Sequence, residues 1–181
     1  MNTAIQIALG QHYASLATGA DQHMGVETYV DQQVFRAAMG TVPTAVSVLT
    51  TRHPAGVWGM TVGSLTSLSL DPPLLLVCLH RASTTLELLA AHGRFAVSVL
   101  AADQSAVADT FARHRDYMSP DAFSVVDDLP VIPDAVAWLT CRHRHTYTSG
   151  DHAIVIGAVQ QARHTTAEPL VRHASRYRLL R

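Results

Sequence analysis

Apolar and polar residues alternate with a period of two along much of the chain, the pattern of β-strands. Thr44–Thr51 alternates in this way and predicts a half-buried strand, with residues 52–56 forming the turn after it. The continuous apolar run Pro73–His80 predicts a fully buried strand. Further strands are predicted from Val57, over residues 94–100, and over 135–147 and 151–161, the last two joined by a hairpin turn at 148–150.

Three short helices are predicted between these strands. Apolar residues spaced three and four apart predict the first over Tyr29–Met39. Thr84 and Glu87 match a capping box and predict the start of the second, and Asp103 is the predicted cap of a third that ends near residue 114. Strands outnumber helices and no βαβ rhythm appears. The chain is therefore expected to be mainly β, a Greek-key barrel with a few peripheral helices.

Composition limits the domain count and the partners. With 181 residues, 48% of them hydrophobic, the chain is long enough for one domain, predicted over residues 29–181 after a mobile extension over residues 1–28. A net charge of −1 and no basic stripe argue against nucleic-acid binding. No apolar run reaches the roughly 18 residues of a membrane span. We therefore expect a cytoplasmic protein with no membrane contact.

The segment Gly59–Pro73 carries the candidate chemistry. Its small and hydroxyl-bearing residues allow close backbone approach and hydrogen bonding to a flat polar ring. The candidate ring contacts are Met60, Thr61, Val62, Gly63, Ser64, Thr66 and Ser67. Arg81, Ser83 and Thr84 at the next helix start form a candidate phosphate site, shifted toward Arg81 and Ser83 if Thr84 is the cap. Serine and threonine are also ordinary strand and cap residues, so spacing alone leaves both interpretations open.

A metal site is the competing interpretation of a second pattern. Cys141, His143 and His145 alternate along one predicted strand and would share a face. A single strand supplies no fourth ligand, so no metal is predicted. Cys78 and Cys141 each lie in an apolar segment and are expected to be free thiols.

Several blocks, in order, resemble the flavin reductase family over roughly residues 34–180. They are FRAAMG, TAVSVLTT, GMTVGSLTSLSLDPPLLLVCL, STTLELLAAHGRFAVSVL, DQSAVADTFA and GDHAIVIGAV. The resemblance implies a split β-barrel of the FMN-binding type, assembled as a homodimer with flavin in a groove near the subunit boundary. It also implies that residues 61–66 lie along the flavin ring, that Ser83 and Thr84 reach the phosphate, and that His152 faces the nicotinamide as the catalytic candidate.

The implied activity is NAD(P)H-dependent reduction of free FMN or FAD by hydride transfer to flavin N5, supplying reduced flavin to a partner monooxygenase. NADH is mildly preferred over NADPH, because no basic cluster for a 2′-phosphate is apparent. Two alternatives are a non-catalytic flavin-binding module and a flavoenzyme of the pyridoxamine-phosphate oxidase type. The chain departs from the family pattern twice. Gly63 stands where Asn, Ser or Thr is common, and residues 172–177, RHASRY, replace an aromatic and glycine pattern.

Overall fold

The computed structural model describes residues 28–113 and 116–180, and the chain divides into two units, 1–37 and 38–181. Helix α1 (Gln32–Gly40) begins in the first unit. The Asp31 carboxylate caps it, accepting hydrogen bonds from the backbone amides of Gln33 (2.7 Å) and Val34 (3.3 Å). The predicted extension lies outside the described residues except for its last residue, and its boundary stays a prediction.

The second unit is built mainly from strands. In the described residues these are β1 (Thr44–Ala45), β2 (Ser47–His53), β3 (Gly56–Val62), β4 (Thr66–Leu70), β5 (Pro73–His80), β6 (Arg94–Val99), β7 (Ser124–Val126), β8 (Leu129–Val131), β9 (Ala137–Ser149), β10 (His152–His164), β11 (Val171–His173) and β12 (Arg176–Arg178). The helices are α2 (Thr84–His92), α3 (Ser105–Arg113) and a 3₁₀ turn, Pro120–Ala122. None of the helices in the described part of the chain has the length and apolar character that a membrane crossing needs.

The strands form three antiparallel sheets. The largest has the order β3-β2-β6-β9-β10-β5-β4, and the smaller ones are β1-β11-β12 and β7-β8. The end strands β3 and β4 are not hydrogen-bonded to each other in the described residues, so the large sheet is open rather than a closed barrel. The predicted mainly β fold of the split-barrel type, with a few peripheral helices, is confirmed.

Strand β2 is more deeply buried than its alternation predicted. All residues from Val46 to Thr51 are buried, not half of them. Strand β8 packs against β2, and the Thr50 hydroxyl donates a hydrogen bond to the Pro130 carbonyl there. On the other face, the Thr51 hydroxyl donates to the Arg94 carbonyl at 2.9 Å. Backbone carbonyls thus accept the hydrogen bonds of the Thr50 and Thr51 hydroxyls, which lets these two polar side chains lie in the interior.

Strand β5 is less buried than predicted, since the sequence indicated burial on both faces. Leu75, Val77 and Leu79 are buried in the core, whereas the alternate residues are only half-buried. Those residues are Leu74, Leu76 and Cys78. A single copy of the chain therefore covers one face of β5 and leaves the other partly open.

The two predicted helix caps are each displaced. Helix α2 is capped by Ser83, whose hydroxyl accepts a hydrogen bond from the Leu86 amide at 3.3 Å, so the Thr84–Glu87 capping box is wrong by one residue. Gly93, at φ 71°, ends that helix. Helix α3 begins at Ser105, so Asp103 lies too early to be its cap.

Candidate active site

A cleft of about 390 Å³ opens beside strand β3, the loop before α2, helix α3 and strand β11. Its size lies at the lower end of the range for small-molecule sites, roughly 300–1,000 Å³. The lining residues are Trp58, Gly59, Met60, Thr61, His80, Ala82, Ser83, Thr84, Thr85, Phe111, Ala112 and Arg172. Aromatic side chains and hydroxyl groups therefore face one space.

Four predicted cofactor contacts line this cleft: Met60, Thr61, Ser83 and Thr84. Its lining does not include the other six, which are Val62, Gly63, Ser64, Thr66, Ser67 and Arg81. Val62 is buried in the hydrophobic core, and Gly63 adjoins the Thr44 side chain. The predicted ring contacts are thus divided between the cleft and the sheet.

The polar residues after Gly63 are engaged by the sheet. The Ser64 hydroxyl accepts a hydrogen bond from the Cys78 amide at 3.0 Å and donates one to the Cys78 carbonyl at 3.1 Å. Thr66 and Ser67 are exposed on β4, opposite Leu76 and Leu75 of β5. Ser64 therefore stabilises the edge of the sheet, and Thr66 and Ser67 face solvent.

Two side-chain hydrogen bonds tie the walls of the cleft together. The Thr61 hydroxyl donates to the Ala108 carbonyl of α3 at 2.7 Å, so its proton is already used and its oxygen is left as an acceptor. The Trp58 indole N–H donates to the Thr85 hydroxyl at 2.9 Å. Strand β3 is therefore linked to α3 by one bond and to α2 by the other.

Gly59 allows helix α3 to approach β3 closely. A Cβ at this position would lie 2.5 Å from Cε1 of Phe111 and 3.2 Å from the Leu49 carbonyl oxygen. The Phe111 ring therefore rests directly on the backbone of β3 and forms one wall of the cleft. Gly59 opens the predicted motif, but nothing in the local sequence indicates which aromatic ring covers it.

His152, the predicted catalytic residue, lies beside the cleft and not in its lining. It pairs with His80 across β10 and β5, and the two rings are 5.6 Å apart and nearly perpendicular. Its Nδ1 donates to the Asp151 carboxylate at 2.7 Å, and that hydrogen bond lowers the pKa of Asp151. Since His80 lines the cleft, His152 lies at the rim of the cleft, next to His80. The hydrogen bond to Asp151 holds its ring in this orientation.

The cation of the cleft differs from the predicted one. Arg81 donates its backbone amide to the Asp151 carbonyl at 3.0 Å, but it is not among the lining residues. Arg172 lines the cleft instead. It comes from β11, about ninety positions later in the chain, and local sequence patterns carry no signal for such a contact.

The alternating Cys141, His143 and His145 do not converge. A β-bulge leaves Arg144 without a partner on β10, so His145 faces Ile156 while His143 faces Gly157. The bulge puts the two imidazoles on opposite faces. The Cys141 thiol is buried, which raises its pKa to about 12. The described residues contain no group of three or more side chains placed to hold a metal, and both cysteines are free.

The family model described as "Flavin reductase like domain" matches residues 39–181. The chain belongs to the flavin reductase family. The FMN reductase (NADH) SmoA of Agrobacterium fabrum (strain C58) is 35% identical over 151 residues, covering 83% of this chain and 87% of that protein. Both are thus similar over most of their lengths.

Solved structures of this family have the same fold. BorF, the flavin reductase component of a bacterial two-component tryptophan halogenase, superposes with a TM-score of 0.78 at 35% identity, covering 83% of this chain and 98% of BorF. The NADH:FAD oxidoreductase SgcE6 of Streptomyces globisporus C-1027, in complex with NAD and FAD fragments, gives 0.77 at 34% identity, covering 84% and 96%.

The donor set of the cleft suits a flavin. Trp58, Met60 and Phe111 give apolar surface for a fused ring. The hydroxyls of Ser83 and Thr84 and the guanidinium of Arg172 suit an anionic phosphate. A ligand with a flat apolar ring and a phosphate tail matches this combination of side chains.

Proposed function

We propose that this protein is a flavin reductase that uses NADH to reduce FMN or FAD and supplies the reduced flavin to a separate monooxygenase. The observation that carries this proposal is the cleft, whose lining combines apolar side chains with hydroxyl groups and a guanidinium, in a member of this family. Flavin bound there would accept a hydride from NADH at N5 and carry the electrons to the partner enzyme.

In this proposal the cleft residues position and shield the reactants, because hydride transfer needs close, aligned contact and exclusion of water. Trp58 and Phe111 enclose the ring, and their links to α2 and to β3 keep the walls in place. His152 orients the nicotinamide at the rim. Asp151 keeps the proton on Nδ1 of His152, so the opposite ring nitrogen is available to the carboxamide.

A homodimer is part of the proposal, since an apolar sheet face remains partly open. Six half-buried residues pair across β5 and β10 on the face away from the core: Leu74 with Ala158, Leu76 with Ile156, and Cys78 with Ile154. Tyr147 of β9 adjoins Ile154 and is 57% exposed. A contiguous apolar patch of this kind is typical of a protein interface, and a second copy matches it.

Anaerobic titration tests the proposed activity. NADH should bleach free FMN or FAD at catalytic concentrations of the protein. Flavin binding without bleaching would instead favour a non-catalytic flavin module, and bleaching only with an amine would favour the oxidase alternative. The predicted cytoplasmic location stays a prediction.

The role of His152 predicts a selective kinetic defect. His152→Ala should raise the KM for NADH about fivefold to tenfold, the effect of losing one hydrogen bond, while flavin affinity changes less. His164→Ala at the other end of β10, also exposed, is the matched control. An unchanged KM for NADH in the His152 variant would remove this residue from the site.

The proposed interface predicts a change of assembly. Ile156→Asp places a charge at the centre of the open face and should convert dimers to monomers in sedimentation velocity runs. Arg163→Asp, on the same strand but outside this patch, should leave the assembly unchanged. A wild-type chain that sediments as a monomer would contradict the homodimer.

A further inference from the structure

Arg172 is the one arginine among the described residues that line the cleft. Ser83 and Thr84 line the same space. Arg81, the arginine closest to these hydroxyls in the sequence, is absent from the lining. The positive charge of the cleft is therefore supplied by a strand near the end of the chain.

The position of Arg172 is set by its neighbours across the small sheet. Thr44 on β1 and Tyr177 on β12 are its direct partners in the register. The Thr44 hydroxyl oxygen would lie 3.1 Å from a Cβ at Gly63. The Tyr177 hydroxyl donates to the Asp109 carboxylate of α3 at 3.0 Å. Arg172 thus lies between one neighbour that adjoins Gly63, the residue after β3, and another that is hydrogen-bonded to α3.

The two departures from the family pattern meet at this point. Gly63 has no side chain, and Thr44 occupies the space beside it. Arg172, where the tail departs from the aromatic pattern, pairs with that same Thr44. Thr44 therefore has Gly63, which lacks the usual polar side chain, as one neighbour and the cationic Arg172 as another.

The charge of Arg172 is not neutralised within the part of the chain that the structure describes. No carboxylate lies within 4.0 Å of its guanidinium there. The Asp109 carboxylate of α3 accepts the hydrogen bond of the Tyr177 hydroxyl. Burial, and then that bond, raises the pKa of Tyr177, so the hydroxyl keeps its proton and remains the donor. The guanidinium is left with donors to offer to a ligand.

We propose that Arg172 binds the phosphate of the flavin, together with the hydroxyls of Ser83 and Thr84, and so makes the cleft selective for phosphorylated flavins. This inference rests on the proposed function, since it concerns the same cleft. A guanidinium offers paired N–H donors that match phosphate oxygens, and its charge is permanent. FMN and FAD therefore gain this contact, whereas riboflavin, which lacks a phosphate, does not.

Equilibrium binding tests the inference without relying on turnover. The dissociation constants of FMN and riboflavin are measured by quenching of flavin fluorescence. Arg172→Met, which keeps the apolar stem, should weaken FMN binding about tenfold to a hundredfold, as expected for loss of a charge-assisted contact, and change riboflavin binding less than about twofold. Arg172→Lys should lie between. Arg176→Met on β12 of the same hairpin is the matched control.

Salt dependence gives a second readout. Added salt should weaken FMN binding to the wild type and affect the Arg172→Met variant much less, because the screened charge is gone. Equal loss for both flavins in the folded variant would overturn the inference. So would unchanged FMN affinity, or a raised KM for NADH with unchanged FMN affinity, which would assign the charge to the dinucleotide. Failure of the wild type to bind either flavin would instead contradict the proposed function.

Discussion

The hydroxyl-rich segment after Trp58 falls into two halves that have similar composition and different roles. Gly59, Met60 and Thr61 line the cleft, and the Thr61 hydroxyl joins β3 to α3. Ser64 and Ser67, a few residues later, serve the sheet or face solvent. The comparison teaches that the element packed beside a hydroxyl sets its role, because both halves look equally suited to a ligand in the sequence.

In the second half, the Ser64 side chain takes the place of backbone hydrogen bonds between two strands. Between β3 and β4, the Ser64 hydroxyl pairs with both backbone polar groups of Cys78. Those groups would otherwise be left without partners on a half-buried strand, which is costly. The first half makes no such hydrogen bonds to β5. Instead, the Phe111 ring packs on its backbone at Gly59. Substitutions in the two halves should therefore have separable effects.

Gly59→Ala should give the largest effect. The added Cβ meets the Phe111 ring and the Leu49 carbonyl, so α3 must shift, and overpacking of this kind lowers the free energy of unfolding by about 1–3 kcal/mol. FMN binding should weaken as well, because the displaced ring is a wall of the cleft. Urea unfolding and flavin titration measure the two losses.

Gly40→Ala is the control for that substitution, since nothing lies within 4 Å of its Cβ position. It should leave the protein as stable or more stable, because alanine favours a helix. A Gly59 variant with wild-type stability and wild-type FMN affinity would mean that the close seat of Phe111 is not needed.

Ser64→Ala should cost stability and spare the ligand. It leaves the Cys78 amide and carbonyl without their partner, a loss of about 1–2 kcal/mol in the free energy of unfolding. Ser67→Ala, exposed on β4, should change that energy by less than about 0.5 kcal/mol. FMN affinity should stay within about twofold in both variants, as no contact of the cleft is removed. Equal destabilisation by the two substitutions would contradict the role assigned to Ser64.

Much of the fold could be predicted from local patterns, because alternation and turn residues report on neighbours in the sequence. The long hairpin of β9 and β10 and the helix that Gly93 ends are such cases. The bulge at Arg144 could not be predicted, since it depends on register with the next strand. Burial of β2 also depends on a distant partner, β8.

The candidate site was predictable only in part for the same reason. Met60, Thr61, Ser83 and Thr84 belong to motifs that read continuously along the chain, and all four line the cleft. Phe111 and Arg172 lie on other elements, a helix and a late strand, and the sequence around them does not indicate that they line the cleft. The hydroxyls of Ser64 and Thr61 look like ligand donors until the Cys78 and Ala108 backbone atoms beside them are known.

Thr61→Val should give the smallest effect and the sharpest comparison of the two roles. If the hydroxyl serves the fold, its loss leaves the Ala108 carbonyl unpaired and lowers the free energy of unfolding by about 1 kcal/mol, with FMN affinity changed less than about twofold. Thr61→Ser, which keeps the hydroxyl, should retain most of that stability. The opposite pattern, an intact unfolding curve with clearly weaker FMN binding, would show that the hydroxyl donates to the ligand, as the sequence pattern alone indicates. In that case the Thr61 hydroxyl in the first half of the segment would bind the ligand, whereas the Ser64 hydroxyl in the second half stabilises the fold.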